Sequence, residues 1–357
     1  MLTTTAYVGQ LAKRYIAEEP PQVDELTTAQ MLILLANFIL FIPALVVVWY
    51  TLPHVHTTLA AVEDPLPAYE PITMNTDDGS PKDPNDRTPA SDVARPVTSS
   101  LRATNRLLRS NFGFRAVFHG FGYATVLGIA SMFALGMFKI LLPFSLAHLC
   151  SMIVVAPVST AWVHQIIAAP SRAGESPKCF SSRIRPFRKI YAATWFPTLL
   201  FWAASNASLY VGTLLARVIG LAHPDPQNPF TPVKFEDDDV VIPKAICVVG
   251  VVLALQLLLV VPTHTALRRV QASLLPADED TLVPFDRSFA GRVEPEVVSG
   301  RGFATFGAAV KTVPFASWVR IVMLRVKIFF VTMAVYFFAA LAVLAQFALL
   351  KKADGSA

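Results

Sequence analysis

Two long stretches of the chain lack charged residues, and they constrain the fold more than any other feature. Residues 31–52 and residues 245–265 contain no Asp, Glu, Lys or Arg. Each is long enough to cross the apolar core of a bilayer, which takes roughly 20 residues in an α-helix. Charged residues make up 15% of the 357 residues, against about 25% in soluble domains. The sequence therefore predicts an all-α, multi-pass membrane protein.

Hydropathy predicts six transmembrane helices in all. Their expected bounds are 29–52, 113–136, 140–163, 190–218, 242–262 and 320–350. Between the second and third helices only residues 136–139 remain to turn the chain. Residues 64–110 are rich in Pro, Asp, Ser and Thr. We expect them to form a disordered loop, because they have little apolar surface to bury.

Most of the 30 Lys and Arg residues lie in the segments that join spans 1–2, 3–4 and 5–6. The positive-inside rule then predicts that both termini lie on the membrane face opposite these basic loops. We expect the loops to contact anionic lipid headgroups of the bilayer, and loop 64–110 to be available to a protein partner. The net charge of +5 is explained by this asymmetry, so no nucleic-acid partner is predicted.

A proline recurs at the end of each odd-numbered span. Pro53, Pro157 and Pro262 are almost equally spaced, and a Thr follows each within a few residues. Proline removes a backbone hydrogen bond and bends a helix, and a nearby hydroxyl can bond the freed groups. The spacing predicts three tandem two-helix repeats with pseudo-threefold symmetry. The predicted repeats are residues 29–136, 137–218 and 242–350, with an N-terminal segment 1–28 and a tail 351–357.

Three such repeats, with long loops on one face, resemble the mitochondrial carrier family. The segment VPTHTALRRVQAS is similar to that family's signature P-x-[DE]-x-x-[KR]-x-[KR]-x-Q, with Pro262, Arg269 and Gln271 in place. Even-numbered helices of the family end in an aromatic residue, an acid and a base. The resemblance assigns these bases to Lys139, Arg217 and Lys351. It covers most of the chain as architecture, and its motifs are specific in the third repeat.

The chain departs from the family at the acids of its two gates. In carriers, the acid two residues after each proline pairs with a base of the next repeat, and a second ring of pairs closes the other end. The corresponding positions here hold no acid: Val55, Ser159, His264, Gly136, Leu214 and Ala348. Neither salt-bridge ring of the family can form from these residues.

The resemblance also implies a solute site near mid-membrane on the even-numbered helices. It places Tyr123, Trp202 and Tyr336 there, with Ser205 and Asn206 one turn from Trp202. None of them is charged, and an unpaired charge in low dielectric is costly. We therefore expect a neutral or amphipathic solute. The alternative is that these side chains pack against neighbouring helices and hydrogen-bond between them.

Motifs for catalysis, cofactors or metals give no positive signal. We find no nucleophile elbow, phosphate-binding glycine loop or H-E-x-x-H pattern, so we predict neither an enzyme nor a cofactor. Four histidines lie near the proline turns, at His54, His56, His164 and His264. They lack the paired spacing of metal ligands, and no metal site is predicted.

Three hypotheses for function remain. The first is a divergent carrier-like protein that moves a small solute across an organelle membrane, with the mitochondrion expected. The second is a carrier-derived scaffold, adaptor or insertion factor that does not transport. The third is an unrelated six-span protein of the endoplasmic reticulum. Convergence of the ends at Pro53, Pro157 and Pro262 around one axis would favour the first two over the third.

Overall fold

The computed structural model describes residues 28–64, 96–170, 180–184, 186–221, 241–293 and 300–354. Residues 1–27, residues 65–95 of the predicted loop and residues 355–357 of the tail lie outside this description. The described residues are mostly helical, with one isolated β-bridge between Ala168 and Thr281. The helices are α1 (Thr28–Val46), α2 (Thr57–Val62), α3 (Leu101–Phe112), α4 (Phe121–Lys139), α5 (Phe144–Val154), α6 (Ala156–Ile167), α7 (Phe180–Ile184), α8 (Phe187–Val218), α9 (Val241–Leu255), α10 (Val261–Ser273), α11 (Phe306–Lys311) and α12 (Phe315–Asp354).

Five helical segments are long and apolar enough to cross a membrane, and the bent pair α5–α6 makes six if it counts as one span. The five are Leu35–Val62, Leu101–Lys139, Phe187–Val218, Ile242–Ser273 and Phe315–Gln346. The prediction of a multi-pass, all-helical chain is thereby confirmed by length and composition. The spans that contain Pro53 and Pro262 continue well beyond those residues, where the sequence had placed their ends.

The turn between the second and third spans lies later than predicted. Helix α4 continues through residues 136–139 and ends at Lys139, and the chain turns at residues 140–143. A single Gly136 within an apolar helix costs about 1 kcal/mol and does not end it. Pro143 instead fixes the turn, directly before the first residue of α5.

The prediction of disorder for residues 64–110 is wrong for its last part. Residues 97–99 form a 3₁₀ turn, and α3 follows it. Thr104 and Leu108 are buried on one side of α3, whereas Arg102, Arg106 and Arg109 are exposed. This helical spacing of buried and charged positions is typical of an amphipathic surface helix.

The described residues divide into two compact units, and we treat each separately. The smaller comprises residues 28–45 and 332–354. In it the side-chain amides of Asn37 and Gln346 exchange hydrogen bonds, one of them from Gln346 Nε2 to Asn37 Oδ1 at 3.2 Å. Such amide pairs hold apolar helices together where water is excluded.

The larger unit comprises residues 46–331, and its core lies where α2, α6 and α10 meet. Val55 and Leu59 pack with Trp162 and Ile166 in one buried cluster. Small side chains bring the helix backbones close together, since Ala60, Ala161 and Ala266 are fully buried. The same device operates between α8 and α9, where a Cβ added at Gly212 would lie 2.5 Å from Val252.

Candidate functional site

Each of the three repeated prolines coincides with a departure from regular α-helix. Pro53 lies within a π-helical segment, Val47–His56, and Pro262 lies two residues after the end of another, Gln256–Val260. Pro157 follows the break between α5 and α6, which is bent by 57°. Proline cannot donate the usual backbone hydrogen bond, and the wider π turns absorb this loss without ending the helix.

Threonine hydroxyls next to the prolines bond the helix backbone. Thr57 Oγ1 donates to the carbonyl of Pro53, and Thr160 Oγ1 donates to the carbonyl of Ala156 at 2.8 Å. Near Pro262 the donor is Thr263, at 2.7 Å from the carbonyl of Leu259. In an apolar environment these bonds satisfy carbonyl groups that water cannot reach.

The helical segments at or just after the three prolines converge near the basic loops. Helices α2, α6 and α10 each contact the other two. His164 Nε2 lies 2.9 Å from the carbonyl oxygen of Gln271, and Gln271 Nε2 donates to Ser159 Oγ at 3.1 Å. Arg269 Nη1 donates to the carbonyl of Ala61 at 3.3 Å. The ends of the three odd-numbered spans therefore share one polar junction.

Ion pairs close this junction on its basic side. Asp64 Oδ1 lies 2.8 Å from Arg269 Nη1, and Glu63 Oε2 lies 3.0 Å from Arg320 Nη1. These pairs connect the end of the first span to α10 and α12. We call Glu63, Asp64, Arg269 and Arg320 the latch. A further pair, Arg183 with Glu279 at 2.9 Å, connects α7 to the loop after α10.

The Glu63 carboxylate is buried, with a side chain 1% exposed, and every contact it makes is to a donor. It accepts the backbone N–H groups of Val97 and Thr98 at 2.7 and 3.1 Å and the hydroxyl of Thr98. Arg320 Nη2 also donates to the backbone carbonyl of Glu63 at 2.8 Å. A buried charge is tolerated only when it is paired and hydrogen-bonded in this way.

Arg269, a basic residue of the segment whose sequence resembles the carrier signature, is 1% exposed. Besides Asp64 it donates to Thr312 Oγ1 at 3.2 Å. Its guanidinium lies 5.2 Å from the ring centre of Phe289 and 5.8 Å from that of Phe285. The cation is thus held by an acid, two carbonyl or hydroxyl oxygens and two aromatic rings.

The loop after α10 completes the surroundings of the latch. The backbone N–H of Asp286 donates to Asp64 Oδ2 at 3.0 Å. Partial burial would raise the pKa of the Asp286 carboxyl, but hydrogen bonds from Ser288 and Ala290 and the charge of Arg269 bring that pKa below its usual value. The ionised Asp286 carboxylate thus stabilises the turn at Ser288 and Ala290, while its backbone N–H contacts Asp64.

The latch acids lie at positions other than those of the carrier gate. Val55 is fully buried among apolar side chains, and Ser159 accepts the hydrogen bond from Gln271 described above. His264 lies between two arginines. Glu63 and Asp64, which follow α2, supply the negative charge instead.

A second group of polar side chains lies beside the latch, and we call it the central cluster: His54, Ser159, His264, Arg268, Gln271 and Arg325. Arg268 Nε lies 3.2 Å from His264 Nε2, and Arg325 Nη2 lies 3.2 Å from His264 Nδ1. Arg268 Nη1 donates to Gln271 Oε1 at 2.9 Å and lies 3.4 Å from Ser159 Oγ. The cluster brings together the first, third, fifth and sixth spans.

Aromatic rings border the central cluster. The guanidinium of Arg268 lies 4.7 Å from the ring centre of Trp162, and the ring of His54 lies 5.9 Å from that of Trp162. The ring of Phe201, on α8, lies 5.3 Å from that of His264. His54 is exposed, and His264, Arg268 and Arg325 are half-buried. The cluster is therefore only partly enclosed by protein.

The charge of the central cluster is uncompensated. Among the described residues no carboxylate lies within 4.0 Å of Arg268 or Arg325. This contrasts with Arg269 and Arg320 of the latch, each of which has an acid.

A cavity of about 160 Å³ adjoins the cluster and shares Ser159 and Gln271 with it. Its other polar lining groups are Ser131 and Thr198, and the remainder is apolar. The space can hold a small solute or several waters.

The predicted solute residues of α8 are engaged in helix packing. Trp202 Nε1 donates to the carbonyl of Ser145 at 2.9 Å, and Ser145 Oγ donates to Asn206 Oδ1 at 2.9 Å. Asn206 Nδ2 and Ser205 Oγ each donate to the carbonyl four residues earlier on α8. These contacts connect α8 to α5, as the packing alternative anticipates.

The other two predicted solute residues, Tyr123 and Tyr336, belong to different compact units. Tyr123 stacks edge-on against Phe180 of α7, with ring centres 5.1 Å apart. Tyr336 belongs to the smaller unit and is 38% exposed. The three predicted outer bases follow the helix ends: Lys139 and Arg217 lie exposed in the last turns of α4 and α8, and Lys351 lies near the end of α12.

Sequence reasoning missed Arg268, Arg325, Glu63 and Asp64. Arg268 is the residue between the two basic positions of the carrier signature, and Arg325 lies near the start of the sixth span. A charged residue within an apolar span is itself a signal of function. Arg325, which lies within the predicted span 320–350, carries this signal.

Comparisons give no match for this chain among protein-family models, curated proteins or solved structures.

Proposed function

We propose that the chain is a carrier-like membrane transporter that moves a small solute past the central cluster. One observation carries the proposal. Helices α2, α6 and α10 converge, and beside them lies the central cluster, whose polar residues come from four spans. A protein that used its helices only as an anchor would have no need of half-buried arginines and a histidine at their junction, because each is costly in a membrane.

Three tandem repeats with pseudo-threefold symmetry are part of this proposal. The equivalent placement of Pro53, Pro157 and Pro262, each at a break from α-helix and each leading into the shared junction, supports it. In this arrangement the latch is a gate on the basic side, although its acids differ from those of carriers. Opening the gate requires that the Glu63–Arg320 and Asp64–Arg269 pairs separate.

The direct test is uptake by purified protein in liposomes, with protein-free liposomes as the control. We expect saturable uptake of at least one solute from a panel of neutral, amphipathic and anionic compounds. If Trp202 and Tyr336 form the solute site, Trp202→Ala and Tyr336→Ala abolish that uptake. Uptake that matches protein-free liposomes across the whole panel would instead favour the scaffold, adaptor or insertion factor. Co-purification of a protein partner with the full chain, and its loss when residues 65–95 are deleted, would then test that alternative.

For the membrane we propose the mitochondrion, with the termini on the face opposite the basic loops; the alternative is the endoplasmic reticulum. The resemblance to carriers and the distribution of Lys and Arg support this proposal. A fluorescent fusion tests the organelle, and protease protection of tags at both termini tests the orientation. Co-localisation with a marker of the endoplasmic reticulum would contradict the mitochondrial assignment.

Helix α3 is the proposed contact with anionic lipid headgroups. Arg102, Arg106 and Arg109 are exposed together on one of its faces, and clustered basic side chains attract anionic headgroups. We expect the triple substitution to Gln to reduce the rise in thermal midpoint that phosphatidylglycerol produces in nanodiscs. Arg217→Gln, an exposed change at the far end of α8, is the control and should leave that rise intact. An unchanged rise in the triple variant would place the lipid contact elsewhere.

A further inference from the structure

We infer that the central cluster binds a small soluble anion, one that presents a carboxylate or phosphate group to Arg268, Arg325 and His264. This deepens the proposed function, on which it rests, by naming the class of solute. It also departs from the neutral or amphipathic solute expected from the sequence, because that expectation was based on the mid-span residues alone.

The hydrogen-bond geometry of His264 is the first argument. Both of its ring nitrogens lie 3.2 Å from a guanidinium nitrogen, Nε2 from Arg268 and Nδ1 from Arg325. A neutral imidazole has one acceptor nitrogen and one N–H, and a guanidinium can only donate. At least one of the two contacts therefore sets two donors against each other. An anion oxygen placed beside these groups accepts from the donors that His264 cannot satisfy.

Charge is the second argument. Arg268 and Arg325 face the same imidazole, and no described carboxylate lies within 4.0 Å of either. Two like charges next to each other in low dielectric are strongly unfavourable unless an opposite charge is supplied. A bound anion supplies it, and a metal cation would be repelled.

The arginines of the neighbouring latch do have acidic partners, so the lack of acids is specific to the central cluster among the described residues. Arg269 is adjacent in sequence to Arg268 and has Asp64, and Arg320 is on the same helix as Arg325 and has Glu63. The same two helices thus carry one compensated and one uncompensated arginine each. Because guanidinium groups match the two oxygens of a carboxylate or phosphate, the uncompensated pair has the chemistry of an anion site.

Space for the anion lies alongside. Ser159 and Gln271 contact Arg268 and also line the cavity of about 160 Å³. The hydroxyl of Ser159 and the amide of Gln271 add neutral donors to the charged ones. His54, at the edge of the cluster, is exposed.

The test is the thermal midpoint of the full chain in phosphatidylcholine nanodiscs, measured with sodium phosphate or sodium succinate against sodium chloride at equal ionic strength. We expect one or both probes to raise the midpoint in a saturable way. In Arg268→Gln/Arg325→Gln the shift should be lost. In Arg268→Lys/Arg325→Lys, which keeps the charge but lacks the planar fork, apparent affinity should fall at least roughly tenfold. The matched control is Arg292→Gln/Arg301→Gln, which removes the same charge from two exposed positions that have no assigned binding role.

Three outcomes would overturn the inference. One is no shift with either probe in the wild type. Another is a midpoint shift that persists in the Gln variant, or that persists in the Lys variant with unchanged apparent affinity. If the Gln variant does not fold, the Lys variant alone decides. The third is a shift seen only in nanodiscs containing phosphatidylglycerol, which would identify a lipid headgroup as the occupant.

Failure of the inference and failure of the proposed function give different results. If liposomes take up a neutral solute and neither anion shifts the midpoint, transport stands and the anion site is wrong. If an anion binds with the expected dependence on Arg268 and Arg325 while no solute is taken up, the site stands and transport is wrong.

Discussion

Glu63→Gln is expected to lower the free energy of unfolding by about 3–5 kcal/mol, as breaking one partner of a buried ion pair generally does. The substitution leaves Arg320 buried without an acid, since Glu63 supplies its only acidic partner among the described residues. It also sets an amide N–H₂ among the donors of Val97, Thr98 and Arg320. The loss appears in the midpoint of thermal unfolding, followed by tryptophan fluorescence in detergent.

A double-mutant cycle separates the ion pair from its surroundings. Arg320→Gln alone should also destabilise, whereas Glu63→Gln/Arg320→Gln should recover part of the loss because no buried charge is left alone. Arg292→Gln is the matched control, since Arg292 is exposed and surface changes stay within about 0.5 kcal/mol. Purely additive losses in the double variant would contradict a coupled pair.

The second large effect distinguishes two neighbouring arginines on α10. Arg269→Gln should cost about 3–5 kcal/mol, because it strands Asp64 and removes a fully buried cation from the rings of Phe285 and Phe289. Arg268→Gln should change stability by less than about 1 kcal/mol, since the lost contact with Trp162 and the lost hydrogen bond to Gln271 are offset by the relief of an unpaired charge.

The same thermal measurements in the absence of phosphate or other multivalent anions check this contrast. The paired variants have the same chemical change at adjacent positions, so differences in expression or net charge do not confound them. Equal losses at both positions would show that Arg268 is structural, and would remove the distinction between the latch and the central cluster.

The coarse architecture could be predicted because it depends on local composition. Uncharged apolar stretches identify spans from their length alone, and five of the predicted spans correspond to single helical segments. The prolines marked the positions where the odd-numbered spans depart from regular helix. Their helices nevertheless continue beyond Pro53 and Pro262, because a π turn tolerates the missing N–H.

The functional residues were harder to predict, because they depend on contacts between distant segments. Glu63 and Asp64 begin a segment that is rich in Pro and acids, and nothing local indicates that their partners are Arg320 and Arg269. Trp202 and Asn206 were chosen by position along a helix, yet their polar atoms bond Ser145 of a neighbouring helix. Position along a helix does not indicate which neighbouring residue a side chain contacts.

Residues 101–109 show a signal that composition obscured. The segment was grouped with its disordered-looking neighbours, because an average over residues 64–110 is polar. Leu101, Thr104 and Leu108 recur at helical spacing, with arginines between them. Periodicity within a short window indicates an amphipathic helix where mean hydropathy does not.

We propose that the latch is a gate to the central cluster. The most direct test replaces His54 by Cys and measures the rate at which a membrane-impermeant maleimide labels it from each face of sealed vesicles. The cysteines of the chain are replaced by Ser for this purpose. We predict that the reagent labels the cysteine from the face opposite the basic loops and that the cysteine is protected when the reagent is on the basic face. Arg269→Gln should raise the labelling rate from the basic face at least roughly tenfold, the factor equivalent to 1.4 kcal/mol. Equal labelling from both faces with the latch intact, or unchanged protection in Arg269→Gln, would contradict the account.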